Sequence, residues 1–459
     1  MLLGVSLPVS AVAQTEQVRA PVGRVVPKVE CSSDPTETYA LYLPSKFSAD
    51  RKWPIIYVFD PFARGQAAAE VVQPSAEKFG YIVAASNNSK NGPMGGSKES
   101  AIAMWDDTQS KLPVDPRRRY VAGLSGGSRV AASVALSCGD CVAGVIANGA
   151  GFPPGAKPPR PVMFAYFAAM GDADFNYVEF VRLRRELDAA NAQYRIRIFE
   201  GSHGWAPADV WMEALNWMDI QAMAGGTLPR EDSRITDALQ QTLARANAFL
   251  SNGHSLAAFR EYQSAVRDFN GLTNVSAARA KLAELDKSKA VKAAEKREAA
   301  DGEEQHRLVE TPSMQMQKLS AGNLDPGGFS QLLATISALK SKSQPAGPTN
   351  LVLRRALTEL VVQAYDSGQT SMQKKDYNAA LAFFHLAAAG SSKPAFAHFQ
   401  RACVYAMSSH KLEMLAELRL ALSSEGYHEP SALEGDEFRP YREDGDFQAL
   451  AAEWKRKHR

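Results

Sequence analysis

The feature that most constrains this chain is Gly123-Leu124-Ser125-Gly126-Gly127, a G-x-S-x-G turn set between an apolar strand and a helix of small residues. Arg119-Tyr120-Val121-Ala122 reads as a short buried strand, and the run from Ser128 to Leu136 reads as a helix packed closely on a sheet. So sharp a turn has no room for Cβ atoms at its flanks, which explains the glycines. Its strain pushes the Ser125 hydroxyl clear of the backbone. Gly126 turns its own N–H toward the place where an oxyanion forms. Strand, turn and helix together raise the motif above a chance match.

A serine is a weak nucleophile until a histidine takes its proton and an acid orients that histidine. On a sheet of this kind the partners follow in the order Ser, Asp or Glu, His, each after a later strand. Pro161 to Phe167 is an apolar run of strand length, followed by Gly171-Asp172-Ala173-Asp174-Phe175-Asn176-Tyr177 and a helix from about Tyr177 to Ala190. Tyr194 to Phe199 then alternates charged and apolar residues as an edge strand does, and ends in Glu200-Gly201-Ser202-His203-Gly204-Trp205. His203 is the expected base. Asp174, one residue before the helix signal at Phe175, is the preferred acid, with Asp172 as the alternative.

A second oxyanion donor is expected in the loop after the third strand. Pro54 to Phe59 is that strand, and Asp60-Pro61-Phe62-Ala63-Arg64-Gly65 follows it. Pro61 has no N–H, which leaves Phe62, with Ala63 one residue further. Ala63, Asn87 in the polar loop after Tyr81–Ala85, and Trp205 are assigned to the substrate cleft. Trp105 reads as packing.

Residues 37 to 222 resemble an α/β-hydrolase of the secreted esterase type, similar to feruloyl esterases and polyhydroxyalkanoate depolymerases. The resemblance rests on Asp115-Pro116-Arg117-Arg118-Arg119-Tyr120-Val121-Ala122-Gly123-Leu124-Ser125-Gly126-Gly127 and on Gly201-Ser202-His203-Gly204-Trp205. It implies a mostly parallel sheet and hydrolysis of a carboxylic ester through an acyl-enzyme, without a cofactor or metal. Ser125 would be nucleophile, His203 base, Asp174 orienting acid, and Gly126 and Phe62 the oxyanion donors. The stretch after the third strand lacks the His-Gly-Gly-Gly pattern of many relatives, which leaves the subfamily open. A serine peptidase of the same fold and a non-catalytic hydrolase scaffold are the alternatives.

At 459 residues the chain is too long for one such domain, and a net charge of +2 gives no strong pull toward nucleic acid or anionic membrane. No internal apolar run reaches membrane-spanning length. Residues 1–13 read as the remnant of a signal peptide closing in a small-x-small site before Gln14, and 14–36 as an extended segment, so a periplasmic or secreted location is expected. Cys138 and Cys141, at a helix C-terminus where the dipole disfavours a thiolate, suit a local structural disulfide better than redox catalysis.

The hydrolase domain is assigned to 37–224. From there on, strand signals vanish and 235–459 reads as an all-α domain. A 34-residue spacing links Gly368, Ala380, Phe384 and Ala387 to Ala402, Met414, Leu418 and Ala421, and the same pattern recurs at Ala246, Ala258, Tyr262 and Ala265. Residues 235–270 and 352–425 thereby resemble degenerate tetratricopeptide repeats, which imply a surface for a peptide or protein partner. The charged, alanine-rich stretch from Ser276 to Val309 reads as one solvated helix.

Overall fold

Short apolar runs make the sheet. In the computed structural model, which describes residues 20–91, 94–344, 347, 350–427, 429 and 431–457, the strands are β1 (Val25–Glu30), β2 (Thr38–Tyr42), β3 (Trp53–Phe59), β4 (Ile82–Ser86), β5 (Val114–Leu124), β6 (Gly144–Asn148), β7 (Ala165–Gly171) and β8 (Tyr194–Phe199). Their order is β1-β2-β4-β3-β5-β6-β7-β8. β2 is antiparallel to both β1 and β4, while β4, β3, β5, β6, β7 and β8 run parallel. This is the sheet of the α/β-hydrolase fold. The signal-like segment at 1–13 and residues 14–19 lie outside the described residues.

Every residue of β3 and β7 is buried, as a parallel strand covered on both faces requires. Alternation decides which layer each side chain joins. Ile56 and Val58 enter a core with Ala68 and Val72 of α1 (Gly65–Phe79) and with Trp211, Leu215 and Met218 of α5 (Ala208–Ala224). Tyr57 points the other way and stacks on Trp105 of α2 (Met94–Lys111), with ring centroids 4.7 Å apart. The Pro161–Phe167 run contributes only its second half to a strand. Pro161 cannot donate to a ladder, and pairing with β6 begins at Ala165 opposite Gly144.

Contacts divide the chain into two compact units, one of residues 1–171 and 179–292, the other of residues 172–178 and 293–459. The helices α6 (Asp232–Ser251), α7 (Ser255–Phe269) and α8 (Ser276–Asp286), which the sequence places with the helical half, therefore cluster with the sheet. Charge explains why. β8 is the edge strand that its alternation suggests, but Arg195 is only 3% exposed. Arg197 pairs with Glu213 at 2.8 Å and Glu261 at 3.0 Å, and Arg245 of α6 reaches the same two carboxylates at 2.9 and 3.0 Å. Arg195 Nη2 donates to Thr242 Oγ1 at 2.8 Å. Buried Arg195 and the half-buried Arg197 and Arg245 are matched by the acids of α5 and α7, because a charge removed from water without a partner is costly.

The second unit is helical: α9 (Lys289–Ser320), α10 (Pro326–Lys342), α11 (Leu351–Gln373), α12 (Tyr377–Gly390), α13 (Ala395–Met407), α14 (Lys411–Ser423) and α15 (Gly445–Lys457). The Ser276–Val309 stretch is two helices, broken between Asp286 and Lys289. All twelve residues picked out by the 34-residue spacing are buried. A Cβ on Gly368 would meet the Phe384 ring at 2.6 Å, so the small residue admits the large one. The α6–α7, α11–α12 and α13–α14 hairpins each turn on a left-handed residue: Gly253 (φ 77°), Lys375 (61°) and Ser409 (63°). Each stands seven residues after the first small residue of its set (Ala246, Gly368, Ala402). Such a residue ends a helix by turning its last carbonyls into the bend. Phe438 and Trp454 are fully buried in the core that closes the C-terminal end.

Candidate active site

Because β3 to β8 run parallel, their carboxyl ends open on one edge of the sheet. Ser125 follows β5, between Leu124 and α3 (Gly126–Cys138), with φ 53° and ψ −119°. That backbone conformation is costly for a residue with a side chain, so it persists only where the surrounding structure holds it. The neighbours show what holds it. A Cβ on Gly123 would meet Gly127 backbone at 2.2 Å, and one on Gly127 would meet the Phe59 carbonyl oxygen at 2.0 Å. The Ser125 amide donates to Asn148 O at 2.8 Å. Buried Asn148, at the end of β6, also donates from Nδ2 to Gly123 O at 3.1 Å and accepts from Ala206 N at 3.3 Å. One side chain thus ties the serine turn to the segment just after His203.

His203 lies partly exposed in the loop after β8. Its loop closes against the end of β7: a Cβ on Gly171 would stand 2.3 Å from Gly201 O and 2.6 Å from Ser202 O. Asp174 is fully buried three residues beyond Gly171, and its Oδ1 accepts from Asn176 N at 2.9 Å. Asp172 is half-buried.

The loop after β3 is organised by Asp60, which the sequence reading passed over. Its buried carboxylate accepts from Phe62 N at 2.8 Å, from Arg64 Nε and Nη2 at 3.0 Å each, and from Trp205 Nε1 at 3.3 Å. Trp205 therefore stands between Asp60 and the Trp211 ring, 6.0 Å away. Phe62, assigned as second oxyanion donor, needs correction on this point, since its N–H is committed to Asp60. Its ring is 62% exposed beside Arg64. Ala63 adopts φ 59° and directs its N–H to Asp60 O at 3.3 Å. Asn87, assigned to the substrate cleft, instead donates from Nδ2 to Pro27 O at 3.1 Å and Thr38 Oγ1 at 3.3 Å, fastening the β1 side of the sheet.

A residue missed by the sequence reading stands closer to the turn. The loops after β3 and β4 join through a Phe62–Lys90 bridge and an Asn91 N to Pro61 O bond of 2.8 Å. This brings the Asn91 carboxamide against Gly126, so that a Cβ there would lie 1.9 Å from Asn91 Oδ1. Only position in a polar loop could have flagged it. Gly126 and Gly127 open α3, where the first N–H groups have no partner within the helix.

No family model matches the chain, and no curated protein matches it. Solved structures with related folds include an S-formylglutathione hydrolase of Staphylococcus aureus, at 14% identity over 43% of this chain and 98% of that one, with a TM-score of 0.35. The feruloyl esterase module from Clostridium thermocellum matches at 14% identity, 42% and 86% coverage and a TM-score of 0.33. A hyperthermophilic esterase from Pyrobaculum calidifontis matches at 14%, 44% and 87% coverage and 0.35.

Proposed function

We propose that this chain is a serine hydrolase that cleaves carboxylic esters through an acyl-enzyme. The observation that carries the reading is the backbone of Ser125, held at positive φ between a parallel strand and the start of a helix. Ser125 Oγ attacks the ester carbonyl while His203 takes its proton. Asp174, a buried carboxylate in the loop after β7, orients the imidazole. The Gly126 N–H stabilises the tetrahedral oxyanion. His203 then protonates the leaving alcohol, and water, activated by the same base, releases the acid.

Exposed Phe62 and the indole of Trp205 suit an apolar or aromatic acyl group. The Cys138–Cys141 disulfide accords with an oxidising compartment, so export to the periplasm or beyond remains part of the proposal. The recurrent hairpins favour tetratricopeptide-like repeats that present a surface to a protein partner. Among the described residues no helix is long and apolar enough to cross a membrane.

The test is turnover of short-chain p-nitrophenyl esters and of matched anilides by the full chain and by Ser125→Ala. Ester hydrolysis falling to the uncatalysed rate in the variant supports the reading, and undiminished turnover ends it. Equal rates on anilides would move the assignment to a peptidase.

A further inference from the structure

The loop that carries His203 has a distance to cover. The chain enters β8 from α4 (Tyr177–Ala189), and β8 lies three strands from β5, roughly 14 Å at ordinary strand spacing. Beyond Phe199 it must therefore cross the ends of β7 and β6 before its imidazole can serve Ser125. Two buried side chains hold the far end of that crossing. Asp60 follows β3 and Asn148 ends β6, and these strands pair with β5 on opposite sides, Phe59 opposite Gly123 and Asn148 opposite Leu124. Asp60 and Asn148 thus flank the serine turn. Asp60 Oδ2 accepts from Trp205 Nε1 at 3.3 Å, and Asn148 Oδ1 accepts from Ala206 N at 3.3 Å. Two consecutive residues just after His203 are caught from either side of the nucleophile.

Each holder is itself fixed. Asp60 is 1% exposed and Asn148 fully buried. Arg64 binds both oxygens of Asp60 and the Phe62 amide adds a third bond, so the carboxylate is locked. Asn148 Nδ2 donates to Gly123 O at 3.1 Å, which aims Oδ1 at Ala206. Gly123 O also accepts from Ser128 Oγ at 2.6 Å, so the serine turn keeps a partner when the carboxamide is removed. Ala206 is buried, and Pro207 after it has no N–H, which makes the Ala206 amide the last donor before α5 opens. An amide so buried needs its acceptor.

We propose that Asp60 and Asn148 form a two-point clamp that sets His203 against Ser125, and that turnover depends on it. Both are positioning residues, acting through Trp205 and Ala206. The proposal rests on Ser125 and His203 being nucleophile and base, and needs no other member of the triad.

The experiment compares Asn148→Ala and Trp205→Phe, alone and combined with His203→Ala, in the full chain, with far-ultraviolet circular dichroism and melting curves as folding controls. Trp205→Phe keeps an aromatic ring and removes the indole N–H. Each single variant should lower kcat on a p-nitrophenyl ester about ten-fold or more, with KM within about two-fold, and should slow fluorophosphonate labelling of Ser125 by a similar factor. In the His203→Ala background no imidazole remains to be placed, so the same substitutions should change the labelling rate less than about two-fold. That loss of effect supports the proposal. A ten-fold loss that persists without His203 would place the action on the serine turn or on packing, and overturns it. The full rate in either folded variant, or a raised KM with unmoved kcat in Trp205→Phe, overturns it too while leaving the triad intact. Should Asn148→Ala not fold, Trp205→Phe decides on the same readouts. Labelling at the wild-type rate in His203→Ala would show that the base lies elsewhere, and the proposal falls with it.

Discussion

Gly127 passes so close to Phe59 that a methyl group on it would sit 2.0 Å from the Phe59 carbonyl oxygen. The contact brings the first turn of α3 down onto the end of β3, and the serine turn is sharp because of it. Gly127→Ala should therefore cost about 2 kcal/mol or more, the overpacking penalty of a rigid backbone neighbour, and should remove most activity. Gly96→Ala is the control. Nothing lies within 4 Å of its Cβ position, and it sits in helix α2, where alanine gains about 1 kcal/mol over glycine. Urea unfolding midpoints moving in opposite directions would bear this out, and equal midpoints would refute it.

Asn91 lies against Gly126 while the Phe62 amide is taken by Asp60. The atom that Asn91 turns to Gly126 is Oδ1, which accepts and cannot donate to an oxyanion, so Asn91→Ala should leave kcat within about three-fold. Steady-state kinetics on a chromogenic ester checks it, and a loss of about 100-fold would show instead that the carboxamide donates to the oxyanion.

The charge network behind β8 predicts acid sensitivity. Burial pushes the Glu261 carboxyl up, but Arg245, Arg195 and Arg197 more than offset it and hold it below the ordinary glutamate range. A depressed folded value stabilises the protein above the unfolded pKa, and that stability is lost as the pH falls through the folded value. Burial raises the neighbouring Asp268, despite Arg195 and Arg267, and so acts in the opposite sense. The difference between wild type and Glu261→Gln isolates the first effect. The variant should be less stable by roughly 3 kcal/mol at pH 7, with the gap closing below about pH 4. Melting temperatures across pH 3 to pH 8 measure it, and a constant gap would contradict the linkage.

How much of this was legible depended on whether the signal was local. The serine turn and β8 were readable because glycine spacing and strict alternation are written in consecutive residues. β6 went unread although Asn148-Gly149 marks its end, since Gly144 to Asn148 is a run of only five residues, and Asn148 was lost with it. Asn87 and Phe62 were given functional tasks because their partners, Pro27, Thr38 and Asp60, are set by strand register and loop closure. The allegiance of α6 to α8 was hidden for a related reason. Arg195 and Arg197 find their acids 16 or more residues away, on α5 and α7. The loop of Asp174 shows the limit most clearly, since Gln305 and Arg355, which donate to its Phe175 and Asp172 carbonyls, come from a region read as a separate domain.

The most direct measurement is reaction of the full chain with a fluorophosphonate probe, followed by peptide mapping of the adduct. Only a serine activated by a general base reacts quickly. The account predicts one adduct per chain, on Ser125, absent in Ser125→Ala and slowed by orders of magnitude in His203→Ala. An unlabelled chain, or an adduct that persists in Ser125→Ala, would contradict it.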